Sequence, residues 1–337
     1  MEWTRSYESE WRIFRVNRDT WADDEKLSGI VSVEALKTAD GEEIESGSME
    51  VTGTFEPDYY RVVLTAEQSG QVERVDVATL YFAENGGEHD YGVDTHDIDG
   101  YSVLYPASKT SVLIGEYAPA GANGARYAGD LLASAINAPV EVEGSFILND
   151  HVVHELGSSV LSAVWAVLNA GDFVIQIDGR GTVHIRPKPT EPSLVIDNAT
   201  SGLLMNGIKY EADESEIPNR YIIIDGINIT IAENNDPTSI VSSRSRGYYV
   251  DVIDTSPTPV NGETYAAYAD RMLKKESILN EERSYTREFA PGVYPYSIIR
   301  SSIDGLDGDY RVQSQSLECG NGITVSEKVA KEIKLYE

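Results

Sequence analysis

The stretch that most constrains this chain is Ser158 to Pro192, SSVLSAVWAVLNAGDFVIQIDGRGTVHIRPKPTEP. Its apolar period switches once, from helical to strand-like. Ser158 can cap a helix whose stripe is Val160, Leu161, Val164, Trp165 and Leu168. Gly171 sits where a left-handed residue would end that helix. Phe173, Ile175 and Ile177 then alternate on a strand, Asp178-Gly179-Arg180-Gly181 turns the chain, and Val183 and Ile185 return on the same face. The spacing predicts Trp165 buried against Phe173, Ile175 and Val183, so that Trp165→Ala should cost about 3–5 kcal/mol. Pro187, Pro189 and Pro192 make a stiff connector, the best boundary candidate in the chain. The whole unit is structural, with no catalytic residue set in it.

Around this unit the chain reads as mainly β. Trp11–Val16, Gly29–Leu36, Ser48–Gly53, Tyr60–Thr65 and Val72–Phe82 are strand candidates, separated by turns at Asp40-Gly41, Pro57-Asp58 and Asn85-Gly86-Gly87. Several short strands in a row suggest a small antiparallel barrel or sandwich. Ala125–Asn137 has helical spacing and Gly144–Leu148 reads as a strand. After the connector, Asp225-Gly226 reads as a two-residue hairpin loop that pairs Ile224 with Ile227 and Ile222 with Ile229. Val260 to about Glu282 reads as a helix with Asn261 as its cap. Arg283–Phe289, Tyr296–Ser301 and Tyr310–Leu317 are strands, and Glu327–Leu335 is a strand or a helix. The fold class is therefore α+β, mainly β, with two β-barrel-like parts and an intervening helix-hairpin module. The expected domains are 1–105, 106–190 and 191–337, the last with an inserted helix at about 260–282.

With 337 residues the chain can bury a real core. It carries 56 acidic against 27 basic residues, a formal net charge of −29. That acidity repels nucleic acid and anionic membranes at long range, so neither sequence-specific nucleic-acid binding nor membrane insertion is expected. The opening Met1-Glu2-Trp3-Thr4-Arg5 has no apolar signal region. The single cysteine, Cys319, excludes an intrachain disulfide and suits folding in a cytoplasm. The 20 tyrosines suit pleated, half-wet surfaces and interfaces.

Candidate chemistry is thin. His151-Val152-Val153-His154-Glu155 spaces its histidines at i and i+3 with the glutamate outside, unlike a helical zinc pair. Asp94-Thr95-His96-Asp97-Ile98-Asp99 and Asp304-Gly305-Leu306-Asp307-Gly308-Asp309 offer oxygen ligands without a calcium-loop spacing, and turn chemistry accounts for the second. Cys319 has no local base, and Ser158 and Ser302 lack a nucleophile elbow. Gly121, Asn123, Gly124 and Ala125 approach a helix without a phosphate-loop pattern, and Arg244 and Arg246 do not make a basic patch. No catalytic, cofactor or metal residue is assigned, and the chain is expected not to be an enzyme.

Several segments together carry a resemblance. They are Glu10-Trp11-Arg12, Thr20-Trp21, the helix-hairpin Trp165–Arg186 and Ile217-Pro218-Asn219-Arg220-Tyr221. Gly262-Glu263-Thr264-Tyr265 and Gly308-Asp309-Tyr310-Arg311-Val312 complete the set. In their order the chain resembles phage tail hub proteins, the hubs of contractile-phage baseplates and the N-terminal part of siphophage tail-associated proteins. The resemblance implies a homotrimer at the distal end of a tail, between the tail tube and the tip. Its implied partners are distal tail, tail tube and tape-measure proteins. It also implies two barrel-like domains per chain in a pseudo-sixfold ring, assembly in the host bacterial cytoplasm, a final place at the virion tail tip, and no cofactor. Some relatives append a hydrolase or receptor-binding module, for which a chain ending at Glu337 is expected to leave no room. A carbohydrate-active or carbohydrate-binding β protein of bacterial origin is the alternative reading.

Overall fold

The structure is a computed structural model that describes residues 3, 7–39, 44–90, 92–113, 117–205, 207–255, 257, 263–320 and 322–336. The turn at Asp40-Gly41 and the proposed cap Asn261 lie outside the described residues, as does Gly262 of the resemblance set. The chain forms two compact units, residues 1–208 with 284–329, and residues 209–283 with 330–337. The helix-hairpin module at 106–190 lies within the first.

The first unit opens with seven strands, β1 (Glu8–Val16), β2 (Asp23–Lys26), β3 (Ile30–Thr38), β4 (Glu45–Thr52), β5 (Asp58–Gln68), β6 (Gln71–Asp90) and β7 (Val93–Tyr101). They pair antiparallel in the order β3-β4-β7-β6-β5-β1-β2. Ser69 and Gly70, both left-handed, make the two-residue turn between β5 and β6. Asn85-Gly86-Gly87, expected to be a turn, lies inside β6, where the register shifts between Glu84 and Gly86. A bulge absorbs the extra residue, and the glycines let the strand bend without ending. Among the described residues no pairing closes this sheet into a barrel.

The module follows: α1 (Tyr105–Lys109), β8 (Tyr117–Ala118), α2 (Gly124–Ala133), β9 (Val140–Val142), β10 (Val152–Val153), α3 (Val160–Asn169), β11 (Phe173–Ile177) and β12 (Val183–Pro187). The expected strand at Gly144–Leu148 is a single bridge from Ile147 to Asn123. Ser159, one residue later than expected, caps α3 by accepting a hydrogen bond from the Ser162 amide at 3.0 Å. Asp172, not Gly171, is the left-handed residue after the helix. Gly171 is needed for another reason: a Cβ there would meet the Phe146 ring at 2.3 Å. Leu161, Val164 and Leu168 are fully buried in the core with Phe173, Ile175 and Val183. Trp165 is only half-buried: it packs against the edge of that core and also with Ala39, Val174 and Tyr296. The expected cost of Trp165→Ala is accordingly transferred to the fully buried stripe.

Beyond the connector lie β13 (Pro192–Ile196), β14 (Lys209–Glu211), β15 (Arg220–Asp225), β16 (Asn228–Glu233), α4 (Ser243–Arg246), β17 (Asp251–Asp254), α5 (Tyr265–Glu276), β18 (Ile278–Glu288), β19 (Ile298–Ser301), β20 (Gly308–Cys319) and β21 (Ile323–Lys334). In the first unit β20 pairs with β3 and β19, and β13 runs parallel to β19. The last segment is a strand, not a helix. In the second unit the sheet runs β16-β15-β17, and α5 covers one face of it with Tyr268, Ala269 and Leu273 against Tyr221 and Ile223. Thr264 caps α5 by accepting from the Ala267 amide. The helix stops at Glu276, short of the expected Glu282, because buried Ser277 donates to the Pro218 carbonyl and a strand starts at Ile278.

Candidate assembly surfaces

The turn Asp178-Gly179-Arg180-Gly181 is held by the first sheet through buried polar groups. Arg61, on β5, donates to Asp23 at 2.6 Å, to Thr79 at 3.1 Å and to the carbonyls of Trp21 and Arg180. Trp21 donates its indole N–H to the Arg180 carbonyl at 2.8 Å, and Thr79 donates to the Gly179 carbonyl at 2.9 Å. A Cβ on Gly179 would fall 1.7 Å from the Asp76 carbonyl oxygen. Arg61 and Thr79 were not singled out in the sequence; a lone arginine among Tyr60, Val62 and Val63 is the signal that a buried charge needs carbonyl partners there.

Beside this turn stands His184, which meets Asp178 at 3.2 Å through Nε2 and Glu143 at 3.2 Å through Nδ1. The hydrogen bond to Asp178 raises its pKa above the ordinary value; burial opposes this, and Asp178, Glu141 and Glu143 add to the rise. The other candidate groups are scattered. His151 Nδ1 accepts from the Ala120 amide, whereas His154 stacks on Tyr127. Along β7 successive side chains alternate faces, so Asp97 and Asp99 point away from Asp94 and His96. His96 contacts Glu84 and the Gly53 carbonyl. Asp309 pairs with Arg300, and buried Leu306 anchors the turn containing left-handed Gly305 and Gly308. Among the described residues no group of three His, Cys, Asp or Glu side chains is arranged to hold a metal.

Burial pushes the Cys319 thiol up to about 12, with Glu318 adding to the effect, so it is protonated at neutral pH. Ser158 donates to the Glu155 carbonyl, and the Ser302 amide bonds the Ile196 carbonyl. Asn123 caps α2 and the Phe146 ring fills the space over Gly124, which leaves no phosphate cradle. Arg246 donates to the Ile217 carbonyl, and Arg244 is exposed. A groove of about 450 Å³ is lined by Arg15, Glu25, Lys26, Thr52, Glu56 and Tyr60, with both signs of charge interleaved.

Some exposed apolar side chains, by contrast, are gathered. In the first unit Leu113, Tyr117, Ile147, Val153 and Leu156 are exposed around the short antiparallel pair β8–β10. In the second unit, Ile224 faces Ile229, Ile222 faces Ile231, and Ile253 lies beside Ile222, all on the face away from α5. The hairpin register differs from the expected one. Gly226, with φ +60°, is the first of the two loop residues, so the loop is Gly226-Ile227 and Ile227 sits at its tip. Exposures are 98% for Ile227, 64% for Ile229, 55% for Ile231 and 59% for Ile253. At one end the face closes with an ion pair, Arg220–Asp251 at 2.6 Å, beside Glu233, with Arg220 stacked on Tyr249. Sequence reasoning found the hairpin but not this surface, because only the placement of α5 decides which face stays open.

No protein-family model matches the chain, nor does any curated protein. Solved structures do. The tail protein from Neisseria meningitidis MC58 superposes with a TM-score of 0.66 at 13% identity, covering 96% of this chain and 97% of that one. The 43 kDa tail protein of prophage MuSo2 from Shewanella oneidensis gives 0.64 at 12% identity, over 96% and 98%. A chain of the Francisella PdpA–VgrG complex gives 0.57 at 9% identity, over 98% of this chain and 53% of its own. The chain thus shares the fold of phage and prophage tail proteins, mainly β and α+β, along nearly its whole length.

Proposed function

We propose that this chain is a structural component of a phage or prophage tail tip or baseplate, a trimeric hub between tail tube and tip. The end-to-end match in fold to two tail proteins, over more than nine-tenths of both chains in each case, carries this reading. The first sheet would serve as one barrel-like part and the second β-rich part as the other. Distal tail, tail tube and tape-measure proteins are the partners this position implies, after synthesis in the host cytoplasm. The net charge of −29 would line a channel that repels passing DNA. The reading assigns no enzymatic step, cofactor or metal to the chain. Immunogold labelling of an epitope-tagged chain in tails from an induced lysogen tests it. Label at the distal tip supports the hub, and label along the tube or absent from tails overturns it. Peptidoglycan or glycan cleavage abolished by a single carboxylate substitution would instead make the chain an enzyme.

A further inference from the structure

Among the described residues, the sheet β16-β15-β17 is covered on one face only. Its central strand reads Tyr221-Ile222-Ile223-Ile224, apolar on both sides, the pattern of a strand buried on both faces. Helix α5 covers the Tyr221 and Ile223 side. We propose that the isoleucine face on the other side is the surface through which copies of this chain associate, which names the contact that the hub reading above requires.

Area, charge and chemistry favour a second copy as the occupant. With the exposures given above, Ile227, Ile229, Ile231 and Ile253 offer roughly 500 Å² per chain. Two copies meeting face to face would therefore bury on the order of 1,000 Å² in all, the threshold for a specific interface, and a patch of roughly 500 Å² is near the upper end of what a monomer leaves exposed. Chains of net charge −29 repel each other, and they can approach at least cost where the surface carries no charge. The rows Ile222/Ile231/Ile253 and Ile224/Ile229 contain no titratable side chain, and the charged row Arg220/Glu233/Asp251 lies at the end, so the face has an apolar centre and a polar rim. A basic partner would be drawn to the acidic surface elsewhere and would gain nothing from charge here. Around a threefold axis each such face would be shared between its two neighbours, so that three copies would bury roughly 1,500 Å² in all.

The test uses two variants and the wild type. Cys319 is the only cysteine and is buried, so Ile231→Cys introduces the one accessible thiol. A short bismaleimide should convert Ile231→Cys to covalent dimer, while Val153→Cys, on exposed β10 of the first unit, should stay monomeric on a denaturing gel. Light scattering should show an oligomer for wild type. The double variant Ile229→Asp with Ile231→Asp should fall to the monomer mass of 37.0 kDa with an unchanged circular dichroism spectrum. If wild type and double variant are both oligomeric and Ile231→Cys does not cross-link, this face is not the contact although the trimeric reading survives. A wild type that is monomeric at high concentration overturns both. Should the double variant fail to fold, cross-linking at position 231 alone decides.

Discussion

Arg287 and Glu327 form the most enclosed ion pair of the first unit, with contacts of 2.6 and 2.9 Å, and Gln315 donates a further bond to Glu327 at 2.6 Å. Burial pushes the Glu327 carboxyl up, but Arg287 and the hydrogen bond from Gln315 outweigh it and hold the carboxyl below its ordinary value. Arg287→Ala leaves a buried charge without its partner and should cost about 3–5 kcal/mol in urea unfolding. A loss near zero would mean that water reaches Glu327. His184 supports a prediction about pH. Its pKa is raised in the fold, so its stabilisation is complete below the ordinary value of 6.5 and is lost as pH rises through the folded value. The melting temperature should therefore fall over that window above pH 6.5, and the fall should be absent in His184→Gln. An identical profile in the variant would show that the contacts to Asp178 and Glu143 do not couple to folding.

At the scale of elements, the turn 178–181 joins two parts of the first unit by close backbone approach. Gly179→Ala forces a Cβ into the Asp76 carbonyl and should destabilise at the upper end of about 1–3 kcal/mol. Gly86→Ala, where a Cβ meets nothing, should stay within about 0.5 kcal/mol. Equal losses in denaturant titrations of the two variants would remove the argument. Both glycines look alike in the sequence, and this is where its legibility ends. The helix-hairpin unit could be read from Val160 to Ile185 because its partners are local and its periods are clean. The register at Asp225-Gly226 could not, since either residue could have been the first of the loop and only the left-handed Gly226 settles it. Nor could the fate of Asn85-Gly86-Gly87, because a bulge and a turn use the same residues and the pairing of β6 with distant β7 decides between them.

For the whole molecule, the least legible feature is the second unit, which residues 330–337 complete from the far end of the chain. No local pattern announces a closure between segments so far apart. Charge, by contrast, is a whole-chain property and was fully legible. A surplus of acidic residues spread over the sequence means that folding gathers like charges and that association gathers more of them. At about 0.01 M salt the Debye length is roughly 30 Å, comparable with a domain, and at 0.15 M it shrinks to about 8 Å. Raising salt between these limits should therefore raise the melting temperature and shift the mass distribution towards the oligomer. Salt bridges such as Arg220–Asp251 and Arg300–Asp309 work against this trend, but they are partly exposed and individually weak. Differential scanning fluorimetry and light scattering across one salt series read both quantities. A melting temperature that falls as salt rises would show that paired charges outweigh the excess ones. In that case the −29 charge would have to be gathered on surfaces remote from one another in the folded chain.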